Sequence, residues 1–303
     1  MRSVFISFIL ITIAACAPPA APRNDDALRV VATTGMIADA ARRIGGEACT
    51  VTALMGPGVD PHVYRPSQGD LRTLSNAQLI LYNGLKLEGR MEDILARMDG
   101  RTRTVAVTEG IPRDRLRVSE EYEGQFDPHV WMDVRVWREA AARVHAALVE
   151  VDPDNAALYD ANAAAYQREL DALDAEVREI LAQVPPPRRV LITAHDAFGY
   201  FGDAYGFEVV GLQGISTDAE FGLRDLERLV EIVAEREVPA IFLETSVSRR
   251  SLEALAEGVR ARGMELRLGG PLYSDALGEA GTPEGAYTGM IRHNARTIAE
   301  ALI

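Results

Sequence analysis

Four short apolar runs, one long helical stretch, then four more short apolar runs: this order leaves the chain few architectures. The first runs cover residues 28–32, 50–54, 78–82 and 104–107, and the second cover 189–193, 208–212, 240–243 and 265–268. Amphipathic helical patterns separate them, among them 36–44, 87–98, 223–235 and 248–261. Parallel neighbours need a crossover long enough to hold a helix, so such alternation builds parallel sheets. The spacing therefore predicts an α/β fold of two lobes, each with a four-stranded parallel sheet covered by helices.

The stretch between the two sets, residues 134–183, reads as two helices. Trp137, Ala141, Val144 and Leu148 form an apolar stripe on the first. Asp152 and Pro153 then suit a cap and a first turn. A second helix over 154–183 stops at Pro185-Pro186-Pro187, with Leu158, Ala161, Ala165, Leu170, Leu173, Val177 and Ile180 on its buried side. At 1.5 Å per residue it spans roughly 45 Å, a rigid backbone helix joining the lobes. A rod of that length opposes wide hinge closure. The domains expected are a first lobe at 28–153, the connecting helix at 154–184 and a second lobe at 185–303.

The beginning of the chain has a different character. Residues 1–15 read as an export signal, with Arg2 ahead of an apolar stretch shorter than the ~20 residues a membrane-crossing helix needs. Ile13-Ala14-Ala15-Cys16 resembles a bacterial lipobox, which makes Cys16 the lipidated first residue of the mature chain and 16–27 its tether. The alternative is an ordinary secretory signal cut near Ala17 or Ala20. With Cys16 used for lipid only Cys49 is left, so no internal disulfide is expected, and Cys49 reads as an inert core thiol. The formal net charge of −13 argues against nucleic acid as a partner.

Chemistry concentrates in a near-repeat. Asp60-Pro61-His62-Val63-Tyr64 returns as Asp127-Pro128-His129-Val130-Trp131, in a chain with five histidines. Proline narrows the backbone freedom beside each histidine, and both fall where strands or Gly-rich turns end. His195 follows the apolar run Val190-Leu191-Ile192, and Asp275 follows Gly269-Gly270-Pro271. Ligands of open α/β sheets collect at such strand ends. Three imidazoles and a carboxylate suit one divalent transition metal. Asp60, Asp127, Asp196 and Glu244 are candidates to orient the ligand rings, and Tyr64 and Trp131 to shield the ion from water. His145 and His293 lie inside helical patterns and read as packing or surface residues.

Taken together, these stretches resemble the bacterial metal-binding lipoproteins that serve zinc and manganese ABC importers, in particular the TroA-type members. Gly58 to Tyr64, Asp127 to Trp131, Leu191 to Gly202, Leu272 to Gly278 and Gly281 to Tyr287 carry the likeness, which runs from about Leu28 to Ile303. The resemblance implies one ion in the cleft, held by His62 and His129 from the first lobe and by His195 and Asp275 from the second. It implies a monomeric, non-enzymatic binding protein, lipid-anchored on the periplasmic face of the cytoplasmic membrane, that delivers its ion to a cognate permease and indirectly to a cytoplasmic ATPase. Release would use small lobe motions or shifts around His195 and Asp275. The charged loop 113–125 contains no histidine, unlike the His-rich loop of many ZnuA-type zinc binders, which leaves the metal open. Zn2+ is preferred on donor chemistry, with Mn2+ the alternative. A zinc hydrolase is a remote rival, since four protein donors leave no place for water and no His-Glu-x-x-His occurs. A surface adhesin is another.

Overall fold

The computed structural model describes residues 27–119, 123–218, 222–236 and 238–303. The export signal, Cys16 and the tether up to residue 26 lie outside them. The first lobe contains β1 (Leu28–Ala32), α1 (Gly35–Gly45), β2 (Cys49–Ala53), α2 (Gln68–Ser75), β3 (Leu79–Tyr82), α3 (Glu92–Asp99) and β4 (Arg103–Ala106). Its strands form one parallel sheet in the order β2-β1-β3-β4, with Val30 opposite both Val51 and Leu79. Apart from the exposed Arg29, β1 and β3 are apolar and covered on both faces, whereas edge strand β2 turns Thr50 and Thr52 outward.

α4 (Val134–Val151) and α5 (Ala156–Ala182) follow, and then the second lobe. Its elements are β5 (Val190–His195), α6 (Gly199–Tyr205), β6 (Glu208–Gln213), α7 (Leu223–Arg236), β7 (Ala240–Glu244), α8 (Arg250–Ala261), β8 (Arg267–Leu272) and α9 (Tyr287–Leu302). Parallel ladders join β5 to β6 and β7 to β8, and β5 lies beside β7. At that seam the His195 amide donates to the Glu244 carboxylate at 2.9 Å. β5 runs two residues further than its apolar pattern, which makes His195 its last residue. Gly211 on β6 permits this. A Cβ there would lie 2.5 Å from the Asp196 nitrogen and 2.8 Å from the His195 carbonyl carbon.

Helices make the join between the lobes. α5 is 27 residues long, about 40 Å, and packs against α1 and α4 of the first lobe and α9 of the second. One apolar cluster runs through both lobes, from Val30 and Met36 to Phe201 and Ile298. Tyr287 at the start of α9 stacks on Trp137 of α4, 5.1 Å between ring centres, and takes its amide partner from the Asp39 carboxylate of α1. The lobes therefore share a core.

Three local expectations change. The buried face of α5 is set by Tyr159, Ala163 and Tyr166 in its first half, while Leu158, Ala161 and Ala165 face solvent. The tyrosines win that face because each buries a large ring and still finds a polar partner, Tyr159 at Asp152 and Tyr166 at the Trp137 indole. Asp152 makes no side-chain cap; its carboxylate accepts from Tyr159 and Asn155. The helix expected from residue 87 begins at Glu92, after a short 3-10 turn over Gly89–Met91.

The face assignment can be checked by unfolding in urea. Leu170→Ala, on the fully buried side of α5, is expected to destabilise the chain by about 2–5 kcal/mol. Leu158→Ala, exposed in the apolar stripe read from sequence, should stay within about 0.5 kcal/mol of the parent.

Candidate metal centre

Two local motifs deliver the first-lobe histidines. In each, the Asp two residues upstream accepts the histidine's own amide at 2.9 Å, Asp60 for His62 and Asp127 for His129. This Asx turn is a local device, with proline fixing the residue between. His129 then opens a short 3-10 turn, Val130–Met132, leading into α4. From the second lobe, β5 ends on His195, β7 ends on Glu244, and Asp275 stands three residues beyond β8.

The four side chains converge. One donor atom from each of His62, His129, His195 and Asp275 lies within 4.8 Å of all the others. His62 Nε2 is 3.2 Å from His129 Nε2, Asp275 Oδ1 is 3.5 Å from His129 Nε2, and Asp275 Oδ2 is 3.1 Å from His195 Nε2. Ligands about 2.0–2.1 Å from a zinc ion stand roughly 3.3–3.4 Å apart at tetrahedral corners. The three separations straddle that value. All four residues are buried, His62 being the least so at 6 % exposure. His195 Nε2 and Asp275 Oδ1 have no hydrogen-bond partner among the described residues. The 3.1 Å approach of His195 to Asp275 is thus a charge contact without hydrogen-bond alignment. Buried polar atoms left this way are expensive unless something else bonds them.

Carboxylates orient two of the rings. Asp127 Oδ1 is 2.7 Å from His129 Nδ1, and Glu244 Oε2 is 2.6 Å from His195 Nδ1. Each fixes the Nδ1–H tautomer and turns Nε2 towards the common point. Asp60 acts differently from Asp127. It holds the His62 amide and accepts the Thr217 hydroxyl of the second lobe at 2.6 Å, without touching the ring. None of the ring hydrogen bonds formed by the described ligands goes to Asp196. Sequence reasoning missed Ser246, whose hydroxyl meets Ser274 Oγ at 2.8 Å and Asp275 Oδ2 at 3.4 Å. A lone serine after β7 gives no signal in the sequence. Trp131 packs edge-on against His129, its indole donating to the Ser274 carbonyl at 2.7 Å. Tyr64 turns away to Asp70 at the start of α2 and shields nothing here. His145 pairs with Asp160 and His293 meets the Pro271 carbonyl, both far from the cluster in role.

Electrostatics divides the ligands. Burial, reinforced by the neighbouring imidazoles, lowers His62 to about 3 and keeps it neutral. Burial pushes His195 the same way, but Glu244 and Asp275 together outweigh it and raise His195 well above the ordinary histidine value. Burial would raise Asp275; the imidazoles around it, His195 foremost, hold it below the usual carboxylate range. Burial also raises the Cys49 thiol, which sits 3.5 Å from the Tyr159 hydroxyl and stays protonated. A cavity of about 350 Å³ opens beside the cluster, lined by His62, Leu85, Lys86, Pro128 and Ile215 among others.

Known proteins resemble this chain in sequence and in fold. The family model described as zinc-uptake complex component A, periplasmic (ZnuA), matches residues 30–301. The chain is 46 % identical over 298 residues to the manganese-binding lipoprotein MntA of Bacillus subtilis, covering 98 % of this chain and 97 % of that protein. It is 49 % identical over 273 residues to the zinc-binding protein TroA of Treponema pallidum, covering 90 % and 88 %. The solved structure of that TroA superposes with a TM-score of 0.89 at 47 % identity, over 91 % of this chain and 99 % of that one. The manganese ABC transporter substrate-binding lipoprotein PsaA of Streptococcus anginosus is 30 % identical over 281 residues, covering 91 % and 89 %.

Glu244→Gln and Asp127→Asn keep side-chain shape but weaken the hold on Nδ1. Each is expected to lower metal affinity by about 10–100-fold while leaving one ion per chain, read by competition with a chromogenic chelator. Asp196→Asn should leave affinity unchanged in the same titration.

Proposed function

Because the chain belongs to the ZnuA family of periplasmic zinc-uptake components, we propose that it captures a divalent transition metal outside the cytoplasm and delivers it to an ABC importer. The observation that carries this reading is the convergence of three imidazole nitrogens and one carboxylate on a single buried point. The ion is cargo: it sheds water, is held by His62, His129, His195 and Asp275, and leaves unchanged. No covalent chemistry is required, and four protein donors leave no obvious place for an attacking water.

Zinc is the preferred cargo on donor chemistry, since nitrogen-rich tetrahedral sites suit it and it outcompetes manganese at a given site. Manganese is the second reading, favoured by the name of the 46 % identical MntA. Six-coordinate manganese at about 2.2 Å would also place neighbouring donors near 3.1 Å, with two further positions to be filled by solvent, or by solvent and the second Asp275 oxygen. The partner is a membrane permease with its ATPase, in keeping with the name of the Streptococcus anginosus relative. Cys16 would supply a lipid anchor on the outer face of the cytoplasmic membrane, with the protein acting as a monomer. No helix among the described residues is long and apolar enough to cross a membrane. The ion's way out runs past His62, the ligand that lines the neighbouring cavity.

Two measurements test the proposal. Metal analysis and competitive titration of the mature chain should give one tightly bound zinc, with manganese weaker. Alanine at His62, His129, His195 or Asp275 should each cost at least about tenfold in affinity. Unchanged affinity in all four would end the assignment. The second is proton release. With His195 raised and Asp275 lowered, His195 carries a proton at neutral pH before the ion arrives, and the ion must displace it. Affinity should therefore fall as pH drops and rise as pH climbs towards the His195 value. Calorimetry in buffers of different ionisation enthalpy should find about one proton released per ion at pH 7.

A further inference from the structure

We infer that Asn83 is a positioning residue for His129, and that the buried Glu88 turn exists to hold it there. This deepens the metal-capture reading and rests on it. Asn83 follows the last residue of β3, is 1 % exposed and lies outside the ligand motifs. Its Nδ2 donates to the Pro128 carbonyl at 3.0 Å and to the Gly84 carbonyl at 3.1 Å. The Pro128 carbonyl belongs to the peptide unit whose N–H is that of His129, and that N–H donates to Asp127 at 2.9 Å. The peptide carrying His129 is therefore gripped at both ends, its N–H by the Asp127 carboxylate and its C=O by the Asn83 side-chain amide together with the Val130 N–H at 2.9 Å. Asp127 also holds the ring. Together the two grips fix the direction of His129 Nε2.

The amide orientation follows from its partners. With two carbonyl oxygens at hydrogen-bond distance, the NH2 end must face them. The other end, Asn83 Oδ1, is buried and has no hydrogen-bond partner among the described residues. A buried acceptor left bare loses its hydrogen bond to water and gains nothing in return. A purely structural position would be better filled by an apolar side chain. The donor is what this position needs.

Glu88 fixes Asn83 in turn. Its carboxylate accepts the Asn83 amide at 2.7 Å, the Gly84 amide at 3.2 Å and the Thr33 hydroxyl at 2.7 Å. The intervening turn is strained: Gly84, Leu85 and Lys86 all have positive φ, two of them non-glycine residues. At Gly84 a Cβ would come within 2.9 Å of the Thr108 hydroxyl, and that hydroxyl donates to the Asn83 carbonyl at 2.6 Å. Backbone strain, a fully buried carboxylate and a bare amide oxygen meet at one residue, whose side chain ends on the His129 peptide.

Asn83→Ala removes the grip, and Asn83→Ser is the gentler change. Both are compared with the wild-type full-length mature chain by zinc competition and by the visible absorption of bound Co2+, which reports ligand geometry. The expected result is a zinc affinity lowered about 10–100-fold and shifted Co2+ bands, with folding of the metal-free chain retained. Variants that fold and keep both wild-type affinity and wild-type Co2+ bands would overturn the role. So would failure of both to fold, which would make Asn83 a residue of the fold alone. If the wild-type chain itself binds no zinc, manganese or cobalt, the metal-capture reading fails first and takes this inference with it.

Discussion

Three imidazoles and a carboxylate buried within 4.8 Å of one another are costly neighbours, and the fold is organised around keeping them there. Their own attractions do not suffice. The His195–Asp275 approach lacks hydrogen-bond alignment, and atoms on both residues are left bare. The framework outside them must supply the difference. Asp127 and Glu244 take the outer ring nitrogens of His129 and His195, and Ser246 meets Asp275. The two carboxylate contacts aim Nε2 of each ring inward while satisfying the nitrogen turned away.

Aiming is useful only if the two lobes keep their relation, and here the contacts cross between them repeatedly. Trp131, two residues beyond His129, donates to the Ser274 carbonyl next to Asp275. Tyr287 on α9 donates to the Trp131 carbonyl at 2.8 Å, and Tyr200 on α6 donates to the Asp127 carbonyl at 3.0 Å. His129 and Asp275 thus belong mechanically to one body although they come from different lobes. Behind them α5 packs on helices of both lobes, and the shared apolar cluster gives the rod little freedom to bend. His62 is tied across the lobes by the Asp60–Thr217 contact and lines the neighbouring cavity. It is the ligand with the lightest hold.

What the sequence revealed and what it hid follow from the range of the interactions. Strand and helix alternation depends on local periodicity, and all eight expected strands are found, displaced by at most a few residues. The paired Asp-Pro-His segments were legible because the Asx turn is made within three residues. Their equivalence was only partial. Asp127 reaches its histidine ring and Asp60 does not, and that difference is decided by Thr217 far along the chain. Glu244 could be named as a candidate but not assigned to His195, since their contact depends on β5 lying beside β7. The tyrosine face of α5 was hidden because a leucine stripe and a tyrosine stripe both satisfy helical spacing. Only the hydroxyl partners Asp152 and Trp137 decide between them. Asn83 and Glu88 carry no motif, for their distant partners lie just after β1, at Thr33, and on the His129 loop.

Charge balance explains why a site this rigid can still accept and lose an ion. Asp275 is buried, and a buried carboxylate without a counter-charge would protonate or force the structure to rearrange. The raised His195 provides that counter-charge as an imidazolium, itself braced by Glu244 on the far side. On the proposed reading, an arriving divalent ion would take over the role, and the proton would leave from His195 Nε2, the atom offered to the ion. The net change in charge at the centre is one unit instead of two, which lessens the reorganisation demanded of the surrounding dipoles. His62, lowered to about 3, is already neutral and needs no proton removed. An exchange that changes the charge by one unit asks less movement of the lobes than one that changes it by two. A stiff helical spine between the lobes is the framework such an exchange permits.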